Sequence, residues 1–129
     1  MADYTHKQID AMEAIAGGAF KRARAELGVS AFGMQVIDLP GGVDRYPEHD
    51  HAESGQEEVY VTLDGSGVLD VDGESVPLDI ESMVRVGAES RRKVTAGHEG
   101  LRLLVLGATP GAVYEAPEFS ELGTADPFA

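Results

Sequence analysis

The chain has 129 residues and no cysteine, and its formal net charge is −13 from 23 acidic and 10 basic side chains. This length is typical of one domain, and the lack of cysteine excludes disulfides and thiolate metal sites. A surface this acidic repels phosphate backbones and anionic lipid, so we expect neither nucleic acid nor a membrane as a partner. No apolar run has the length of a signal peptide or a membrane span, and the expected location is the cytoplasm.

Two short helices are predicted before the strands begin. Residues 9–16 show helical spacing that ends at Gly17-Gly18, with a strand as the alternative for the same residues. Residues 19–27 place Phe20, Ala23 and Leu27 on one face, and Gly28 follows where a C-cap glycine belongs.

Short strands separated by turn residues are predicted from residue 32 onward. They cover residues 34–39, 57–63, 67–71, 74–78, 83–86, 91–95 and 101–106. Turns are expected at Asp64-Gly65 and 97–100, and Asp72-Gly73 is a two-residue hairpin signal. This pattern indicates an all-β sandwich or small barrel. The predicted organisation is a covering segment at 1–31, the barrel at 32–107, and a tail at 108–129 that either wraps the surface or frays.

The strand at 57–63 alternates in character. Its apolar face consists of Val59, Val61 and Leu63. Its opposite face carries Glu58, Tyr60 and Thr62. Side chains two apart in a strand point the same way, so we expect the second face to line a pocket. The apolar face needs a cover, which the N-terminal helices or a second subunit would provide.

Two histidines precede this strand with one residue between them. His49 and His51 project to the same side of an extended chain, and their neutral ring nitrogens can share one ion. Glu58 follows on the polar face of the next strand, and Glu57 is the fallback ligand. Two histidines and one carboxylate leave coordination positions open for water or a substrate. The pattern predicts a divalent metal site, for which Fe, Mn, Ni and Zn are all suitable.

This segment resembles the first motif of the cupin superfamily, G-x5-H-x-H-x3,4-E-x6-G. The matching residues are Gly42, His49, His51, Glu58 and Gly65. The spacing from Glu58 to Gly65 fits, whereas six residues stand between Gly42 and His49 and six between His51 and Glu58. The resemblance covers residues 32–107 and implies a cupin-type jelly-roll β-barrel, here with one or two short N-terminal helices. It also favours a homodimer.

The second cupin motif, G-x5-P-x-G-x2-H-x3-N, is degenerate in this chain. Gly87 stands where the proline is expected, Glu89 where the glycine is, and Arg92 where the metal-binding histidine is. Arginine cannot ligate a metal. Arg92 therefore either pairs with Glu58, binds an anionic group of a substrate beside a three-ligand metal, or faces solvent after a slip in register.

Two functions follow from these residues. The first is a metal-dependent cupin that acts on or binds a small molecule, including an anionic one, with Tyr60, Thr62 and Arg92 shaping the pocket; as an enzyme it would be an oxygenase or isomerase. The second is a non-catalytic small-molecule-binding cupin that has lost its metal, with Arg92 pairing Glu58. No phosphate-cradling loop or dinucleotide fingerprint is present, so no nucleotide cofactor is expected.

Overall fold

The structure, a computed structural model, describes residues 1–129. Its seven strands are β1 (Ala14–Ile15), β2 (Phe20–Lys21), β3 (Gly33–Leu39), β4 (Glu57–Val71), β5 (Glu74–Leu78), β6 (Met83–Val86) and β7 (Arg92–Ala108). The helices are α1 (Ala23–Leu27) and three single turns of 3-10 helix at Ile9–Ala11, Ala16–Gly18 and Glu118–Ser120. None of these helices has the length and hydropathy needed to cross a membrane.

The strands form one antiparallel sheet around two long partners, β4 and β7. The order is β1-β2-β3-β7-β4-β5, and β6 also pairs with β4. β6 pairs with residues 58–61 of β4, and β5 pairs with residues 67–71 of the same strand. The free edge of β4 is thus shared by two short strands, one for each half of its length.

β4 and β7 bend together near the middle of their pairing. The register shifts between Thr62 and Asp64 and again between Gly65 and Gly67. Irregularities of this kind bend a strand and increase its twist. The two halves of the ribbon thereby become the walls of the jelly-roll barrel that the sequence predicted. The predicted chain reversals at 64–65 and 97–100 are wrong, because these glycine-containing stretches bend paired strands without ending them, and two long strands replace four short ones.

The Asp72-Gly73 hairpin is confirmed. Val71 pairs with Glu74, and the two loop residues have φ values of 49° and 88°. Positive φ at both loop residues is the requirement of a type I′ turn, whose twist matches that of the flanking strands.

The N-terminal region contains less helix than predicted. In place of a helix over residues 9–16 there is one 3-10 turn followed by β1, which is the strand alternative. The next helix begins at Ala23 and not at Ala19, because Phe20 pairs with Ile37 of β3. Its predicted end is confirmed, since Gly28 has a φ of 76° and donates its N–H to the Arg24 carbonyl.

The predicted alternation of β4 is confirmed by burial. Glu58, Tyr60 and Thr62 are buried inside the barrel, whereas Leu63 on the other face is 40% exposed. The main core consists of inward side chains from all the long strands, including Leu69 and Leu103. A smaller cluster of Met12, Ala23 and Val36 packs the N-terminal segment against the outside of β3. The polar face of β4 is thus held in a fixed orientation toward the interior.

Candidate metal centre and its cavity

The segment that carries the two histidines is fixed by main-chain hydrogen bonds. His49 exchanges N–H and carbonyl bonds with Arg92 at 3.0 and 2.8 Å, and the His51 N–H donates to the Ala88 carbonyl at 2.8 Å. The His51 carbonyl then accepts the N–H groups of Ser54 and Gly55, which turns the chain toward β4. This tethered extended backbone directs both imidazoles to the same side, as the spacing predicts.

Both imidazoles meet the Glu58 carboxylate. The Nε2 atoms of His49 and His51 lie 3.7 and 3.3 Å from Glu58 Oε1, and the ring centroids are 5.0 Å apart. One ligand atom from each residue lies within 4.8 Å of the others. Ligands bonded to one ion at about 2.1 Å stand about 3.0–3.4 Å apart when adjacent. The separations from Oε1 are close to those of a bound ion's ligands.

The hydrogen bonding of the histidines also suits a cation. His49 Nδ1 lies 3.1 Å from the Pro47 carbonyl, which can only accept, so Nδ1 carries the proton and a neutral His49 presents an unprotonated Nε2. His51 Nε2 is buried and makes no hydrogen bond. When both Nε2 atoms are unprotonated, they are acceptors that face an acceptor oxygen, and a metal ion between them would satisfy all three; without a metal, a proton on Nε2 takes this place.

Glu58 is held as a carboxylate by its neighbours. Its Oε1 accepts hydrogen bonds from Tyr60 Oη at 2.9 Å and Arg92 Nη1 at 2.8 Å, and its Oε2 accepts one from Gln56 Nε2 at 3.3 Å. Burial opposes ionisation, but the imidazoles of His49 and His51 and the Tyr60 hydroxyl outweigh it and hold the pKa of Glu58 well below its usual range. The side chain is therefore a charged carboxylate even though it is 4% exposed.

The Arg92 side chain lies beside the candidate metal centre and is fixed there by hydrogen bonds within the protein. Its side chain is fully buried and bonded through Nη1 to Glu58, through Nη2 to the Gly87 carbonyl at 2.6 Å, and through Nε to the Ser90 carbonyl at 3.0 Å. Of the three arrangements expected for Arg92, the structure contains the ion pair with Glu58. The slipped register that would expose it is absent.

Of the other predicted residues, Tyr60 is bonded to this carboxylate, whereas Thr62 and Glu57 are not. Tyr60 contacts Glu58, and burial followed by the charge of Glu58 raises the pKa of Tyr60, so its hydroxyl stays a donor. Thr62 is buried and its Oγ1 has no hydrogen-bond partner. The Glu57 side chain points outward and pairs with Arg85 at 2.8 Å, so the carboxylate at the centre is that of Glu58.

An open cavity of about 1630 Å³ extends from the centre to the N- and C-terminal segments. His49, His51 and Glu58 line it, whereas Tyr60, Thr62 and Arg92 do not. Sequence reasoning missed Gln56, which also lines it. Gln56 stands two residues before Glu58, so the alternation that placed Tyr60 and Thr62 could have found it.

Both chain ends contribute to this cavity as well. Phe20 and Phe119 line it and pack edge to face, with ring centroids 5.5 Å apart. Tyr114 and Phe128 add further wall from the tail. The sequence holds no signal for the contributions of Tyr114, Phe119 and Phe128, because they depend on where a tail without periodicity returns to the barrel.

Comparison with known proteins gives structural neighbours only. No family model and no curated protein matches the chain. A cupin protein from Bacteroides fragilis superposes with a TM-score of 0.68 at 19% identity, over 91% of this chain and 93% of its own. The neighbour described as a predicted oxalate decarboxylase from Thermotoga maritima has a TM-score of 0.53 at 23% identity, and the match covers 59% of this chain and 64% of the neighbour. KdgF from Halomonas sp. has a TM-score of 0.54 at 11% identity, and the match covers 61% of this chain and 69% of KdgF. These likenesses show that the chain has the cupin fold.

Proposed function

We propose that this cupin-fold chain binds one divalent metal ion through His49, His51 and Glu58 and uses it to hold a small molecule in the barrel cavity. The observation that carries the proposal is the convergence of two imidazole nitrogens on one carboxylate oxygen, at 3.3 and 3.7 Å, with His51 Nε2 buried and unbonded. Three protein ligands leave coordination positions free, and the bound ion would supply a Lewis-acidic site there.

The residues around the ligands have separate roles in this proposal. Pro47 orients His49 through its carbonyl, and Tyr60 and Arg92 orient Glu58 through hydrogen bonds to Oε1. Gln56 restrains the other carboxylate oxygen. Because Arg92 is buried and bonded to the protein, the cavity-lining residues and not Arg92 would contact the small molecule.

The fold neighbours support a small-molecule function. One of them is described as a predicted oxalate decarboxylase, whose name specifies a small carboxylate substrate. The cavity in this chain is large enough for a ligand of that kind and reaches all three proposed ligands.

A second function is favoured by the Arg92–Glu58 pair. The 2.8 Å contact already gives Glu58 a cation, so a metal-free binding module is the competing proposal. In that case the cavity would bind its ligand equally well in the presence of a chelator.

Elemental analysis of purified, untagged protein distinguishes these functions. We expect about one metal ion per chain in the wild type and loss of that metal in the His49→Ala, His51→Ala double variant. The chain has four histidines, and the other two provide the matched control, His6→Ala with His98→Ala, which should keep the metal. A wild type that is metal-free and gains no thermal stability from added Mn, Fe, Ni or Zn would refute the metal proposal.

A further inference from the structure

Arg45 is the one basic side chain that has no partner within the protein. Eight of the ten lysines and arginines form ion pairs. Lys93 donates instead to main-chain carbonyls. With 23 acidic side chains available, a cation without a partner is the exception in this molecule.

Arg45 stands at the cavity that contains the proposed metal centre. It lines this cavity together with Tyr46 and His49, and the Tyr46 and His49 rings lie 6.4 Å apart. Tyr46 also lines the cavity, and its hydroxyl makes no hydrogen bond within the protein. Ligand sites characteristically combine an apolar cavity with a few unpaired polar groups.

The backbone on both sides of Arg45 is fixed. Lys93 Nζ donates to the carbonyls of Asp44 and Tyr46, the latter at 2.7 Å. The Val43 carbonyl accepts the Ala96 N–H at 2.9 Å, and His49 pairs with Arg92. The main chain is therefore held at four points around the exposed Arg45 side chain, so no entropy of the loop backbone is lost when this side chain binds a ligand.

Arg45 is the only cation lining the cavity that has no partner. The carboxylates of Asp10 and Asp38, which also line the cavity, are paired with Arg102. Three other lining carboxylates form no ion pair and would repel an anionic group, which leaves Arg45 as the place where such a group can be held: Asp64, Glu99 and Glu115. A guanidinium forms paired hydrogen bonds with a carboxylate or phosphate, whereas a neutral ligand would leave it uncompensated.

We propose that Arg45 binds the oxyanion group of the small molecule that occupies the cavity. The assignment deepens the proposed function and rests on it for the identity of the cavity as a ligand site. Arg45 is then a specificity-determining residue that selects anionic over neutral ligands of the same shape.

Benzoate and benzamide provide a matched test, because they have the same apolar ring and similar shape and differ in charge. Binding is measured from the rise in melting temperature at constant ionic strength, with Zn²⁺-loaded and with chelator-treated protein. We expect benzoate to bind the wild type at least tenfold more tightly than benzamide, and Arg45→Gln to remove this preference. The control is Arg85→Gln, because Arg85 is an exposed arginine that does not line this cavity, and it should leave the preference intact. Phenylphosphonate in place of benzoate shows whether phosphate-type or carboxylate oxyanions bind more tightly.

The outcomes separate this inference from the metal proposal. A benzoate preference that depends on Arg45 in both forms of the protein supports the inference, even if elemental analysis finds no metal. Equal binding of benzoate and benzamide by the wild type, or an unchanged preference in Arg45→Gln, overturns it, even if the metal is present and lost in the histidine double variant.

Discussion

Arg92 Nη1 donates a 2.8 Å hydrogen bond to Glu58 Oε1, the same oxygen atom that lies 3.3 Å from His51 Nε2. One carboxylate oxygen is thus shared between a fixed cation and the pair of imidazoles. The fixed cation stands at the sequence position where the cupin resemblance expects a histidine ligand. The centre therefore combines three proposed metal ligands with a permanent positive charge in place of a fourth ligand, and this combination determines how it responds to substitution and to pH.

Replacing Arg92 with methionine should destabilise the protein severely. The substitution leaves the buried Glu58 carboxylate without its cation, and loss of one partner of a buried pair costs about 3–5 kcal/mol. Urea unfolding at pH 7 measures this loss. Adding Glu58→Gln to the variant removes the uncompensated charge, so the double variant should be more stable than Arg92→Met alone. A double variant whose loss equals or exceeds the sum of the two single losses would contradict the pairing.

Tyr60→Phe should weaken metal binding without unfolding the barrel. The change removes only the hydroxyl that orients Glu58 Oε1, and loss of such an orienting group costs about 10–100-fold in metal affinity. Competition with a chromophoric chelator measures the affinity. Tyr114→Phe is the control, because Tyr114 lines the cavity and its hydroxyl makes no hydrogen bond within the protein. Equal affinities of the two variants would show that Tyr60 does not act through Glu58.

Acid should selectively remove the stability that Glu58 contributes in chelator-treated protein. The pKa of Glu58 is lowered in the fold from an ordinary value of 4.5, so its contribution is present above that value and is lost as the pH falls toward the folded pKa. The gap in free energy of unfolding between wild type and Glu58→Gln should therefore narrow below about pH 4.5. Urea titrations from pH 7 to 3 measure the gap. A gap that widens over this range would mean that the pKa of Glu58 is raised and not lowered.

Sequence patterns correctly predicted the features of this molecule that depend on residues close together in the chain. Alternation in β4 placed Glu58 and Tyr60 inside, and the Asp72-Gly73 turn chemistry placed the hairpin. The turn predicted at Asp64-Gly65 was wrong, because a glycine that ends a strand and a glycine that bends one look alike in the sequence when the partner strand is unknown. The partners of Arg92 were left open for a similar reason, since a slip of one residue reverses the face on which a side chain lies.

Arg22→Met should release the C-terminal tail from the barrel. Arg22 is buried, pairs with Glu13 at 2.9 Å, and donates to the carbonyls of Thr124 and Ala125. Loss of these bonds should cost about 1–3 kcal/mol and speed proteolytic cleavage within residues 109–129. Limited proteolysis followed by mass spectrometry locates the cleavage. The surface variant Arg85→Met should be cut at the wild-type rate, and a tail equally resistant in Arg22→Met would show that other contacts hold it.

Gly65→Ala should destabilise the protein more than Gly73→Ala, although both glycines have positive φ, at 77° and 88°. An alanine in this conformation costs about 1–2 kcal/mol at either position. A Cβ at Gly73 meets nothing within 4 Å, whereas one at Gly65 would lie 2.1 Å from the Gly100 carbonyl oxygen. That oxygen belongs to β7, so the two long strands would have to separate where they bend. Chemical unfolding of both variants compares the costs, and equal losses would mean that the strands tolerate a wider separation.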